Sequence, residues 1–140
     1  MIISWNTTNA CNMFCDHCYR DAGCKADEEL NTQEAKTLLE QIAKAGFKIM
    51  IFSGGEPLMR PDIVELVEYA TKLGLRSVFG TNGTLITEEM ALKLKNAGAM
   101  GMGISLDSMD PEKHNNFRKF PNAWEGAVRG MRNCRKVGLP

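Results

Sequence analysis

The sequence lacks a surplus of either charge. Seventeen Lys and Arg balance seventeen Asp and Glu, so the net charge is zero and the pI is about 6.7. That removes the broad basic footprint expected of a nucleic-acid-binding domain. It also lacks any long apolar run, and nothing approaches the ~18 residues of a membrane span. The amino terminus has no basic segment, and polar Asn6-Thr7-Thr8-Asn9 interrupts any apolar stretch, so no signal-peptide layout is present. The five cysteines are not spread along the chain as a disulfide framework would be. Three fall within eight residues, which points to a reducing cytoplasm and a metal site. At 140 residues, 44% hydrophobic and 24% charged, the chain is one ordinary soluble domain's worth, long enough for a real core.

The stretch present in place of those absences is Ala10-Cys11-Asn12-Met13-Phe14-Cys15-Asp16-His17-Cys18-Tyr19, a C-x3-C-x2-C pattern. Three thiolates on one tight loop chelate a soft metal centre. Structural zinc sites and electron-transfer clusters are usually closed by four protein ligands. A cubane held by three leaves one iron free to bind a cofactor or substrate. Cys24, six residues after Cys18, is either a fourth ligand or a free thiol. A zinc site and a set of structural cysteines remain open at this point.

The rest of the chain alternates. Residues 2–5 are β-prone, and residues 21–29 read as a polar connection. Residues 31–45 read as a helix, with an Asn31/Glu34 capping box, an apolar face from Ala35 to Ala43, and Gly46 as its stop. Residues 47–52 are a nearly all-apolar strand, as expected when both faces are covered. It runs into Ser53-Gly54-Gly55-Glu56-Pro57, where two glycines allow close backbone approach to a ligand. Pro61 suits the first position of a second helix carrying Ile63, Leu66, Val67, Ala70 and Leu73. A strand at 75–80 ends in Thr81-Asn82-Gly83-Thr84. A third helix is capped by Thr87 and stopped by Gly98.

A strand at 99–107 places Met100, Met102, Ile104 and Leu106 on one face. Gly101, Gly103, Ser105 and Asp107 lie on the other. Residues 107–122 read as a long loop of the kind that often carries function. Trp124, Ala127, Val128, Met131 and Cys134 mark a last helix, stopped by Gly138. Alternating strands and helices predict an α/β fold with a parallel sheet. In such sheets ligands bind beyond the carboxyl ends of the strands. The cysteine loop, the Gly54–Glu56 segment, the Thr81–Thr84 segment and Ser105–Asp107 all fall at those ends.

These four stretches together resemble the radical S-adenosylmethionine (SAM) superfamily, over essentially the whole chain. The resemblance implies parallel βα repeats forming an incomplete (β/α)6 partial TIM barrel. Residues 1–140 would be a radical SAM core of about four βα units, the amino-terminal portion of a longer enzyme. It implies a 4Fe–4S cluster on Cys11, Cys15 and Cys18, with SAM chelating the open iron. It places His17 near the adenine, and Gly54, Gly55 and Glu56 at the methionine amino group. Asn82, Ser105 and Asp107 would then meet the ribose and carboxylate, although the last two would also suit a turn cap.

Residues 4–9 and 18–23 resemble the tetrapyrrole-modifying branch of haem biosynthesis. That implies a sirohaem-derived substrate, didecarboxysirohaem losing its acetate side chains, and a low-potential electron donor. Arg20, His114, Arg118 and Lys119 are candidate partners for propionate carboxylates. Peptide-maturing relatives share the same motifs, and a non-catalytic iron–sulfur or zinc module is a further alternative.

Overall fold

The computed structural model describes residues 1–19 and 22–140. Four parallel strands, β1 (Ile2–Asn6), β2 (Ile49–Ser53), β3 (Arg76–Thr81) and β4 (Ala99–Ile104), form one sheet in chain order. Each crossover therefore steps to the adjacent strand. The crossovers are helices α1 (Thr32–Lys44), α2 (Ile63–Lys72) and α3 (Glu88–Ala97). Helices α4 (Pro111–Arg118) and α5 (Ala123–Val137) follow β4. The α/β alternation predicted from the sequence is the observed architecture. Among the described residues no helix is long and apolar enough to cross a membrane.

The core fills one side of the sheet. Met50 and Phe52 of β2 and Phe79 of β3 pack under Leu39, Ile42, Leu66, Val67, Ala91 and Leu94. Phe52 and Phe79 stack with ring centroids 5.4 Å apart. The opposite face carries Ile49, Ile51 and Val78 and is only half-buried. The expectation that both faces of β2 are covered is corrected accordingly.

The predicted caps explain the boundaries. Asn31 and Glu34 form a reciprocal capping box on α1. The Thr87 hydroxyl accepts from Met90 N–H on α3, and Gly98 closes that helix at φ 99°.

Three further readings are corrected. Pro61 does not open α2. A single 3-10 turn, Pro57–Met59, comes first, and Asp62 is the residue before the helix. The cause is the buried Arg60. Its guanidinium holds Asp62 (2.7 and 3.0 Å), the Thr7 carbonyl (2.9 Å) and the Leu30 carbonyl (2.8 Å), which commits residues 60–62 to a turn. Residues 107–122 are not all loop. Asp110 caps Glu112 and Lys113 N–H, Pro111 takes the first helical position, and α4 follows. That helix buries only His114, so it shows no apolar period.

In β4 the register jumps from Ser77↔Ala99 to Val78↔Gly101. Met100 is bulged out of the ladder and 45% exposed, and the strand stops at Ile104. The last helix forms as expected, as α5, with Gly138 as its stop. Its buried face is Ala123, Gly126, Ala127, Gly130 and Cys134. A Cβ on Gly130 would be driven into the Gly83 carbonyl oxygen, and one on Gly126 would lie 2.7 Å from Thr84 Cγ2.

Alanine normally stabilises a helix interior relative to glycine by about 1 kcal/mol. Gly130→Ala is expected to do the opposite, lowering stability by about 1–3 kcal/mol through overpacking against residue 83. Gly101→Ala meets nothing nearer than 3.4 Å and should change stability by only about 0.5 kcal/mol. Urea denaturation midpoints would compare the two.

Candidate functional site

The cysteine loop leaves the carboxyl end of β1 and is closed at its neck by main-chain bonds. Cys11 N–H donates to Gly23 O, and Gly23 N–H to Asn9 O, each at 2.9 Å. Within it, Cys18 N–H donates to Cys15 O (3.0 Å), and Met13 N–H reaches Cys11 Sγ (3.4 Å). The buried Met13 side chain anchors the loop. All three thiols are half-exposed and line one cavity of ≈ 230 Å³. His17, Ser53, Gly54, Gly55, Gly80, Asn82, Ser105 and Arg118 share its walls. A larger hollow of ≈ 430 Å³ beside β4 and α5 is mostly apolar and touches no residue of the loop.

The two glycines fulfil a requirement the sequence reading did not identify. Gly55 N–H donates to Thr8 O (2.8 Å) and Glu56 N–H to Ala10 O (2.7 Å). Side chains at 54 and 55 would strike the Thr8 and Ala10 carbonyls. The glycines therefore allow the approach of the chain that feeds the cysteine loop, besides lining the cavity.

Glu56 stands behind the cavity wall. It is fully buried and does not line the cavity. Thr81 Oγ1 (2.7 Å) and Leu58 N–H (3.2 Å) donate to Oε1, and Asn82 N–H (2.9 Å) donates to Oε2. Burial raises its pKa despite those three bonds. It acts as a tie between the ends of β2 and β3.

Asp107 also stands outside the lining. Arg118 holds it bidentately, Nε at 2.6 Å and Nη2 at 3.1 Å, while Asp107 N–H donates to His114 Nδ1 (3.2 Å). Burial works to raise the Asp107 pKa, but Arg118, His114 and His17 outweigh it and hold the carboxyl below its usual range. Arg118 is thereby pinned at the cavity wall that Cys15 also lines. Burial raises the Cys11 and Cys15 thiols, and Arg118 opposes that effect at Cys15.

The expected propionate partners separate. His114 is 1% exposed and out of reach of a ligand carboxylate. Arg118 belongs to the cysteine cavity. Exposed Lys119 pairs with Asp16 (3.3 Å). Arg20 lies outside the described residues. His17 lines the cavity and stacks on Phe117, centroids 4.0 Å apart and nearly coplanar at 11°. Ser105 lines it too, through a loop begun where Ser105 N–H donates to Thr81 O (3.0 Å).

The donor set fits an iron–sulfur cluster. Three thiols face one cavity, with a backbone N–H at the Cys11 sulfur and the Arg118 cation in the same wall, the kind of second-sphere surroundings such clusters use. Cluster binding would displace the thiol protons, which burial favours at Cys11 and Cys15. Cys24 is exposed and does not line this cavity. Among the described residues no three His, Cys, Asp or Glu side chains are grouped as they would be around a single metal ion. The sequence reading missed Asn12 and Thr84, which bracket Asn82, and the placement of Arg118. Only the helix signal at Asp110-Pro111 could have located the last of these.

A family model described as the radical SAM superfamily matches residues 5–140. The chain is 44% identical over 139 residues to the Fe-coproporphyrin III synthase of Methanosarcina barkeri (strain Fusaro / DSM 804), covering 99% of this chain and 35% of that protein. It is 42% identical over 139 residues to the AdoMet-dependent heme synthase of Oleidesulfovibrio alaskensis (strain ATCC BAA-1058 / DSM 17464 / G20), covering 99% and 36%. Among solved structures, native anSMEcpe with bound AdoMet superposes with a TM-score of 0.79 at 21% identity, covering 99% of this chain and 41% of that one. The chain thus spans little more than a third of the length of these curated relatives.

Glu56→Ala would leave three buried donors without an acceptor, a loss of about 3 kcal/mol or more. Glu56→Gln keeps an acceptor oxygen and should cost less than half as much. Thermal denaturation of both variants checks the order.

Proposed function

The chain belongs to the radical SAM superfamily, and from that premise we propose that it is the cofactor-binding part of a SAM-dependent enzyme acting on a tetrapyrrole side chain. The observation that carries the reading is the shared cavity. Cys11, Cys15 and Cys18 open onto the same space as the strand-end residues Ser53, Gly54, Gly80, Asn82 and Ser105.

Under this proposal the three cysteines hold a 4Fe–4S cluster, and SAM lies against the strand ends. When bound, that pair supplies reductive cleavage of SAM to a 5′-deoxyadenosyl radical, with the electron coming from a low-potential donor. The protein's own part is to bind, orient and dry the site. Gly54, Gly55 and Gly80 contribute to the wall that a ligand would meet, the first two held there by their close approach to Thr8 and Ala10. Ser105 and Asn82 supply polar groups at the wall. Arg118 supplies a fixed cation beside Cys15, and His17, backed by Phe117, offers a flat ring at the rim. Glu56 and Asp107 act behind the surface, holding the groups that face the ligand.

The haem-biosynthesis names of the relatives support a tetrapyrrole, and removal of acetate side chains from a sirohaem derivative is the transformation proposed. The neutral surface and the reduced-thiol pattern suit a cytoplasmic enzyme.

Anaerobic reconstitution with iron and sulfide, followed by EPR of the reduced sample with and without SAM, tests the cofactor assignment. SAM is expected to shift the cluster signal. Cys24→Ala should retain the signal, while Cys11→Ala, Cys15→Ala and Cys18→Ala should each lose it. Loss of metal in Cys24→Ala would favour a four-ligand module instead. Product masses after incubation with didecarboxysirohaem or with a peptide would separate the tetrapyrrole reading from peptide maturation.

A further inference from the structure

Asn12 lies between two of the metal-binding cysteines, yet it does not line the cavity. Its side chain joins a closed ring. Asn12 Nδ2 donates to Thr84 Oγ1 (2.9 Å), Thr84 Oγ1 donates to Asn82 Oδ1 (2.7 Å), and Asn82 Nδ2 donates to Asn12 Oδ1 (2.9 Å). Around the ring each side chain donates to the next and accepts from the one before. Thr84 N–H also donates to Asn82 Oδ1 (3.0 Å), which settles the orientation of the Asn82 amide and, through the ring, that of Asn12. Donors and acceptors arranged head to tail polarise one another, so such a ring tends to act as a unit.

The ring spans 72 positions of sequence and joins two elements that nothing else in it requires to meet. On one side is the shoulder of Cys11. On the other is the turn after β3, held through Asn82 N–H by Glu56 and through the Thr84 carbonyl by Arg129 of α5 (3.1 Å).

We propose that Asn12, Asn82 and Thr84 form a latch in which Asn12 is a positioning residue for Cys11. The latch fixes the first cysteine of the loop against the rigid β3 turn, so that its sulfur is held at the cavity wall before any metal arrives. This assignment rests on the cluster reading above for its purpose, but not for its geometry.

The test therefore has two arms. In the metal-free chain, iodoacetamide labelling is followed by mass spectrometry at each cysteine, with exposed Cys24 as the internal standard. Asn12→Ala and Thr84→Val should each raise the Cys11 rate relative to Cys24 about fivefold to tenfold, the effect of losing roughly one hydrogen bond. The double variant should exceed neither single one, because either change opens the whole ring. Thr84→Ser keeps the hydroxyl and should restore the Cys11 rate. In the second arm, the reconstituted single variants should lose iron to a chelator faster than the parent and Thr84→Ser. An unchanged Cys11 rate, strictly multiplicative single effects, or failure of Thr84→Ser to restore the rate would each overturn the latch. A parent chain that takes up no iron and sulfide would overturn the cluster reading instead, and the labelling arm would still decide the latch.

Discussion

The site depends on one buried carboxylate. Glu56 sits where β2 ends, wholly out of solvent, and binds donors from its own turn and from the end of β3. A polar group in that position is costly unless its lone pairs are used. Here three donors use them, so the same interaction that makes burial tolerable also sets the spacing of two strand ends. The next residues along each strand end, Gly55 and Asn82, then carry that spacing outward to the cysteine loop.

Around this tie the charges are arranged in depth. Arg118 reaches the cavity, and Asp107 stands behind it with His114 on its main-chain N–H. A cation beside a thiol would drift if its stem were free. The bidentate pair removes that freedom. Arg60 does comparable work on the far side of the neck, joining Thr7, Leu30 and Asp62 beneath the ring of Trp5 at 5.4 Å. Arg60 ties the Thr7 and Leu30 carbonyls that flank the cysteine loop, whereas Arg118 directs its hydrogen bonds to the Asp107 carboxylate after β4.

Much of this was legible in the sequence, and the remainder has identifiable causes. Strand and helix order followed from periodicity and from stops such as Gly46 and Gly98, because those signals are local. The meeting of four chemical segments at one rim followed from the parallel order alone. α4 was hidden because a helix that buries only His114 has no apolar stripe to show, although Asp110-Pro111 announced its start. Helix α5 was legible as a helix, but the part that Ala123, Gly126 and Gly130 take in its buried face was not, because apolar periodicity weighs large residues whereas this interface selects the smallest. Glu56 and Asp107 were assigned to a ligand on resemblance. A sequence reports that a carboxylate is near a site, but not whether a neighbour such as Arg118 or Thr81 has already engaged it.

The contact between Gly130 and the turn at Gly83 has a mechanical consequence. Side chains yield by hopping between rotamers, and that compliance absorbs small movements. Two backbones in direct touch have no such cushion. Helix α5 is thus seated on the turn that carries Asn82 with no side chain between Gly130 and Gly83 to take up a shift.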